Sequence, residues 1–132
     1  MGITYRISAP ITTEQVIDLF RSSGIRRPID QPERIRRMLQ HANLTITAWD
    51  GEKLVGIARA LTDFSFCCYL SDLAVDKAYQ RQRIGKELVR RVQEAIGEES
   101  MLLLLAAPEA REYYPHIGFQ HVDRAWAIDR KR

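Results

Sequence analysis

The hydrophobic pattern of the first 43 residues predicts a short strand followed by two amphipathic helices. Residues 3–7 are typical of a strand. Thr12 and Gln15 have the spacing of a capping box, so a helix should begin there, and Gly24 is a plausible end. Pro32 sits where a second helix should begin. The apolar faces of the two helices hold, in order, Val16, Ile17, Leu19, Phe20, and then Ile35, Met38, Leu39.

The middle of the chain predicts three consecutive strands. Residues 44–49 and 53–62 flank Asp50 and Gly51, a dipeptide that strongly favours a hairpin turn. A third strand is predicted at about residues 66–75, and it leads into a polar, basic loop.

Beyond that loop, apolar residues recur at helical spacing and Gly97 closes the helix. Residues 101–105 form a continuous apolar run, which predicts a strand covered on both faces. Residues 108–116 are expected to form a short helix, and residues 119–122 and 125–128 two final strands. The helical positions are Ile84, Leu88, Val89, Val92 and Ile96.

The predicted order is therefore β-α-α-β-β-β-α-β-α-β-β. No repeat or linker divides the 132 residues, so we expect one domain over residues 1–132 with a mixed sheet, of the α/β or α+β class.

Composition adds limits on function. The hydrophobic content of 45% suits a globular core, and the net charge of +3 is too small to indicate a nucleic-acid binder. No apolar run reaches the length of a membrane span, and the N-terminus does not resemble a signal peptide. Cys67 and Cys68 are adjacent and are expected to point to opposite strand faces, which disfavours a disulfide or metal clip. A cytoplasmic protein without nucleic-acid or membrane partners is expected.

The loop at residues 80–86 joins a strand end to a helix start. Free backbone N–H groups and the positive end of the helix dipole favour phosphate at such a position. Gln80, Arg81, Arg83 and Lys86 add donors and positive charge. The alternative is a solvated basic helix start.

Three motifs in series resemble the GNAT-type N-acetyltransferase family: residues 72–75, the loop at residues 80–85, and residues 113–119. The resemblance covers nearly the whole chain. It implies a single domain with a mixed, mostly antiparallel twisted sheet of about six to seven strands flanked by about four helices. It also implies transfer of an acetyl group from acetyl-CoA to an amine, without a metal.

The resemblance assigns cofactor contacts to two segments. The backbone of Leu73, Ala74 and Val75 would pair with the pantetheine arm of CoA, as a ligand pairs with an open strand edge. The pyrophosphate would lie on Gln80, Arg81, Gln82, Arg83, Ile84 and Gly85, with Lys86 opening the helix. Arg83 departs from the family's usual glycine, and would carry a cost if its φ must be positive. Ala107 stands where the family often has a cofactor-contacting asparagine.

The resemblance gives Tyr114 the role of general acid toward the thiolate leaving group. Tyr113 is a second cofactor-contact candidate, although packing is the favoured interpretation. Asp72 is a candidate base, acting through water; alternatively it hydrogen-bonds locally or binds a cationic substrate.

The acceptor amine stays open, from small molecules to peptides and protein lysines, and so does a homodimer. Substrate-facing candidates are residues 25–29 together with Asp63, Phe64 and Phe66. Arg26 and Arg27 would attract a carboxylate or phosphate, but solvated surface charge is the favoured interpretation for both. The main alternative function is a non-catalytic CoA or acetyl-CoA sensor, motivated by Arg83 and Ala107.

Overall fold

The computed structural model describes residues 2–132 and contains one sheet of five strands and four α-helices in that range. The elements in chain order are β1 (Thr4–Ile7), α1 (Thr13–Ser23), α2 (Pro32–His41), β2 (Leu44–Asp50), β3 (Lys53–Thr62), β4 (Cys67–Val75), α3 (Ile84–Ile96), β5 (Met101–Leu103) and α4 (Tyr113–His116). Single 3₁₀ turns at Lys77–Tyr79 and Pro108–Ala110 precede α3 and α4.

The strands lie side by side in chain order, and only the last pairing is parallel. β4 carries a bulge against β3, because Asp72 is paired with Arg59 and Leu70 with Ala60, which leaves Ser71 as the extra residue. A bulge reverses the face to which the following side chains point. This reversal turns Asp72 and Ala74 toward the side of the sheet covered by α1 and α2.

Each face of the sheet has its own apolar core. α3 covers one face with Ile84, Leu88, Val89, Val92 and Ile96. The pair α1 and α2 covers the other with Val16, Ile17, Leu19, Phe20 and Ile35.

The sequence signals at the helix ends act as predicted. Thr12 Oγ1 accepts from the N–H of Gln15 and Gln15 Oε1 accepts from the N–H of Thr12, which completes the capping box. Gly24 ends α1 with a φ of 82°. The close seating of α3 depends on Gly56 of β3: a Cβ there would lie 3.1 Å from Ile84 Cγ2 and 3.2 Å from Leu88 Cδ1.

The predicted fold class is confirmed, but the number of strands was predicted too high. Residues 119–122 and 125–128 form no ladder, and Trp126 and Ile128 are almost fully exposed. β5 ends at Leu103 rather than at residue 105, and Met101 and Leu105 are more than half exposed. The predicted helix over residues 108–116 divides into a 3₁₀ turn and α4. An apolar run measures the tendency to be buried, whereas a strand also needs a paired neighbour.

Within residues 2–132, the helices are too short or too polar to cross a bilayer. That same range holds no group of three or more His, Cys, Asp or Glu side chains placed to ligate a metal ion.

Candidate active site

The sheet opens between β4 and β5. Their pairing covers Cys67–Tyr69 against Met101–Leu103, so within residues 2–132 the rest of β4, residues 70–75, has no strand neighbour on that side. The N–H of Asp76 donates to the C=O of Val55 at 2.9 Å. Because antiparallel hydrogen bonds alternate, the backbone groups of Leu73 and Val75 point away from β3 and into this gap.

The side chain of Gln80 takes up one of these groups. Its Nε2 donates to the C=O of Val75 at 3.0 Å, while the backbone of Leu73 stays turned toward the gap. Gln80 therefore occupies the Val75 carbonyl at the end of β4, next to the loop before α3.

The loop before α3 has strained backbone at two arginines. Arg81 has a φ of 70° and Arg83 a φ of 64°, both in the left-handed region that favours glycine. Arg83 is the N-cap residue of α3, and within the described chain no side chain caps that end. The N–H groups of Ile84, Gly85 and Lys86 thus have no acceptor in the helix.

The loop is firmly attached to the sheet. Tyr79 Oη donates to Asp50 Oδ2 at 2.6 Å, and Asp76 Oδ1 accepts from the N–H of Ala78 at 2.9 Å. The exposed cations that follow, Arg81, Arg83 and Lys86, form no ion pair with any carboxylate in residues 2–132. They leave positive charge free beside the start of α3.

Tyr113 lies against the first turn of α3. A Cβ on Gly85 would lie only 2.5 Å from Tyr113 Oη, so the glycine makes room for the phenol. Burial raises the pKa of the Tyr113 phenol above its usual value of 10.0. The structure thus brings Tyr113 to the loop that the sequence assigned to the cofactor.

Tyr114 lies in α4, which follows β5 in the chain, next to Tyr113. Its ring is half-buried and makes edge contacts with the rings of Tyr113 and Phe119, at centroid distances of 5.4 and 5.6 Å. Burial raises the pKa of the Tyr114 phenol, Tyr113 adds to the rise, and the positive charge of Arg27 opposes it. The phenol is therefore protonated at neutral pH.

Asp72 is completely buried and holds two arginines. Its Oδ2 accepts from Arg59 Nε and its Oδ1 from Arg27 Nε, each at 2.5 Å. Arg59 also donates to Ser71 Oγ at 2.9 Å and to the C=O of Met38 at 3.2 Å, and Arg27 donates to the C=O of Ser71 at 2.7 Å. We call Arg27, Arg59 and Asp72 the buried charge cluster.

The interpretation of Arg27 as solvated surface charge was wrong, whereas Arg26 is exposed. Arg59 was missed altogether. Its signal is a single charge inside the apolar run of β3, because an arginine is almost never fully buried unless it is paired. The sequence cannot show which residue pairs with it.

The substrate-facing candidates Asp63, Phe64 and Phe66 lie in the turn between β3 and β4, away from the loop before α3. Asp63 Oδ1 accepts from the N–H groups of Ser65, Phe66 and Cys67 at 2.9, 2.8 and 3.0 Å. These bonds lower the pKa of Asp63 to about 2. The turn adjoins the start of β4, at the opposite end of that strand from the loop before α3, and Asp63 shapes it.

A family model described as an acetyltransferase (GNAT) domain matches residues 12–127. The chain belongs to the GNAT acetyltransferase family. The family predicted from the three motifs is therefore confirmed.

Curated relatives match over part of their length. The chloroplastic GCN5-related N-acetyltransferase 2 of Arabidopsis thaliana is 35% identical over 78 residues, which is 54% of this chain and 30% of that protein. The histone acetyltransferase TAP1 of Glycine max is 31% identical over 71 residues, covering 52% of this chain and 31% of that protein. The chain thus spans about a third of the relatives it matches.

Solved structures match over the whole chain. A probable acetyltransferase from meticillin-resistant Staphylococcus aureus gives a TM-score of 0.84 at 24% identity, covering 99% of this chain and 100% of that one. A GNAT protein from Streptococcus pneumoniae gives 0.81 at 25% identity, covering 99% of each. The aminoglycoside N-acetyltransferase AAC(6')-Iy, solved with CoA, gives 0.72 at 15% identity, covering 99% and 96%. These matches establish the fold.

Proposed function

We propose that this chain transfers the acetyl group of acetyl-CoA directly to a primary amine of a small molecule, peptide or protein. The observation that carries the proposal is the gap between β4 and β5, which the backbone of Leu73 faces. Beyond the end of β4 lies the uncapped start of α3, and Tyr113 lies against it in contact with Tyr114. Bound there, acetyl-CoA would supply an activated acetyl thioester.

The donors around the gap fit such a cofactor. The backbone of Leu73 and the N–H of Val75 face the gap and suit the amide groups of a pantetheine arm. The predicted contact of the Ala74 backbone does not fit, because that backbone points toward β3. The free N–H groups of Ile84, Gly85 and Lys86 suit a pyrophosphate, and the cations of the loop add charge. The loop before α3 adds the side chains of Gln80, Arg81, Gln82 and Arg83 as candidate contacts. Tyr113 lies beside them, against Gly85.

The chemistry assigns a proton transfer to Tyr114. A neutral amine attacks the acetyl carbon, so a C–N bond forms as the C–S bond breaks. Tyr114 Oη gives its proton to the departing sulfur, and the proton lost by the amine returns to the phenolate through water. The N–H of Leu73 donates to the acetyl oxygen, where negative charge develops.

The base role of Asp72 stays a prediction, and its contacts work against it. Both carboxylate oxygens accept hydrogen bonds from guanidinium groups, and the residue has no exposed surface. An amine that arrives neutral needs no proton acceptor at Asp72.

The test is Tyr114→Phe, assayed by CoA thiol release across a panel of amines. We expect kcat to fall by about 100-fold or more, with the Kd of CoA nearly unchanged. Tyr113→Phe is the matched control, since it removes the neighbouring phenol, and it should retain most of kcat. Unchanged turnover in Tyr114→Phe would exclude the residue as the general acid.

A CoA or acetyl-CoA sensor is the second candidate. The strained Arg83 and the alanine at position 107 favour it, because both depart from the pattern of the resemblance. Thermal-shift titration with CoA, followed by the amine panel, separates the two: binding without turnover of any amine supports the sensor.

A single domain in a cytoplasmic protein stays a prediction, and so does the homodimer. Support for a dimer comes from exposed apolar side chains near the open edge of β5, at Phe66, Met101 and Leu105. Sedimentation equilibrium tests the homodimer, and a measured mass equal to that of one chain would contradict it.

A further inference from the structure

The buried charge cluster contains more positive than negative charge. Asp72 is the carboxylate that pairs with Arg27 and Arg59 within residues 2–132, and it neutralises only one of them. One positive charge is therefore left over beside β4.

Arg27 is the member that can present this charge. The side chain of Arg59 is only 7% exposed and that of Arg27 is 26% exposed. Arg27 uses one N–H toward each of Asp72, the C=O of Ser71 and the C=O of Arg26. A guanidinium has five N–H donors, so two remain for a ligand.

The position of Arg27 relates it to the acetyl-transfer site. It is bonded to Ser71 and Asp72, the two residues directly before Leu73, whose backbone faces the gap. Its positive charge also opposes the rise in the pKa of the Tyr114 phenol. Arg27 belongs to the loop between α1 and α2, and its hydrogen bond to Asp72 holds it beside β4. Arg59 binds the other oxygen of Asp72.

We propose that the acceptor is an amine carrying a carboxylate, as in an amino acid, and that Arg27 binds that carboxylate. The proposal rests on the proposed acetyl transfer. One excess charge matches a monoanion, and a planar guanidinium with two free N–H groups matches the two oxygens of a carboxylate.

The same charge excess acts on the amine. A positive charge nearby disfavours the protonated amine, so the bound acceptor loses its proton more readily. Polycationic acceptors such as polyamines are repelled for the same reason. The cluster therefore selects the acceptor and makes a strong base unnecessary.

The test compares the twenty common amino acids, their α-carboxamides and spermidine as acceptors, by kcat/KM. We expect the preferred amino acid to exceed its own carboxamide and spermidine by about 10-fold or more. Arg27→Gln should abolish this preference mainly through KM, and Arg26→Gln, the exposed neighbour, should leave it unchanged. Equal rates for the acid and its amide, or spermidine as the best acceptor, would overturn the proposal.

A binding measurement separates this proposal from the proposed function. N-acetyl amino acids and N-acetyl amino acid amides are titrated by calorimetry into protein saturated with CoA. Tighter binding of the acids, lost in Arg27→Gln, supports the carboxylate site even where no amine turns over. Arg27→Lys, which keeps the charge, should keep part of the preference, and equal affinity for acids and amides in wild type overturns the site.

Discussion

Arg83 combines a conformational cost with an electrostatic gain. A left-handed backbone at a residue with a Cβ costs about 1 kcal/mol or more. The guanidinium is exposed and carries no ion pair within the described chain, so it is free to contact an anion at the start of α3.

Arg83→Gly should therefore separate stability from affinity. We expect the free energy of unfolding in urea to change by less than about 1 kcal/mol, because relief of strain is offset by the greater freedom of glycine in the unfolded chain. The Kd for CoA, measured by calorimetry, should rise about two- to fivefold, as for an exposed ion pair. Tighter CoA binding by the variant would show that the arginine hinders the cofactor.

Tyr114 gives a pH prediction. Because burial raises the pKa of its phenol, the proton that we propose it donates is present at neutral pH and is lost only above pH 10. Activity should therefore show no decline caused by Tyr114 up to about pH 10. A decline at lower pH that disappears in Tyr114→Phe would contradict the direction of this shift.

At the scale of elements, the first turn of α3 and Tyr113 depend on each other. Gly85 is buried, and a methyl group there would meet Tyr113 Oη. In Gly85→Ala, the higher helix propensity of alanine would stabilise α3 by up to about 1 kcal/mol. The contact of the new methyl group with Tyr113 Oη therefore decides whether the variant is more or less stable than wild type.

A double-mutant cycle measures this contact. We expect Gly85→Ala to lower the free energy of unfolding more in the wild-type background than in Tyr113→Phe, which lacks the clashing oxygen. The difference should be about 0.5 kcal/mol or more in urea unfolding. Additive effects would show that Tyr113 moves away without cost.

The exposed face of α3 carries an ion-pair network. Glu87 pairs with Arg90 at 2.8 Å and with Arg91 at 2.7 Å, and these arginines lower the pKa of Glu87 to about 2. Arg91 Cζ also lies 4.5 Å from the centroid of the Tyr5 ring, so the network joins α3 to β1.

Glu87→Gln should lower the free energy of unfolding by about 1 kcal/mol or less, since solvent screens the pair. A lowered pKa in the folded state gives stability that is complete above about pH 4.3 and disappears as pH falls to 2. The difference between wild type and variant should shrink over that interval. Glu98→Gln, a glutamate outside the network, is the control, and an equal effect there would contradict the assignment.

At the scale of the molecule, the buried charge cluster joins four segments. Asp72 of β4 holds Arg59 of β3 and Arg27 of the loop after α1, and Arg59 reaches the C=O of Met38 in α2. The cluster thus links the sheet to the layer that covers it.

Asp72→Asn should destabilise the fold by about 3 kcal/mol, because two guanidinium groups, one of them buried, lose their counter-charge. Urea denaturation measures the loss. Arg59→Met combined with Asp72→Leu should recover part of it, since no charge then remains in the core. A loss below about 0.5 kcal/mol in Asp72→Asn would mean that the cluster adds nothing to stability.

The local features of the chain could be predicted because their causes are local. The capping box at Thr12 and Gln15, the turn after Asp50 and the glycine that ends α1 each act within a few residues. Helical spacing also placed α3 and its buried face, and the motifs at residues 72–75, 80–85 and 113–119 identified the family.

Long-range pairing could not be predicted in the same way. The residues that hold Asp72 are 13 and 45 positions away, so Arg27 resembled a surface charge and Arg59 gave no sign of its partner. The predicted strands after Gly118 failed because apolar character does not supply a pairing edge.

By itself, then, the sequence determined the order of the elements through α3, the family, and the segments that border the gap. Only the tertiary structure decided how far β5 pairs, where the chain stops adding strands, and that Asp72 is shared by two arginines. The physical reason is that caps and periodicity depend on neighbours in the chain, whereas strand pairing and buried charge depend on which distant residues packing brings together.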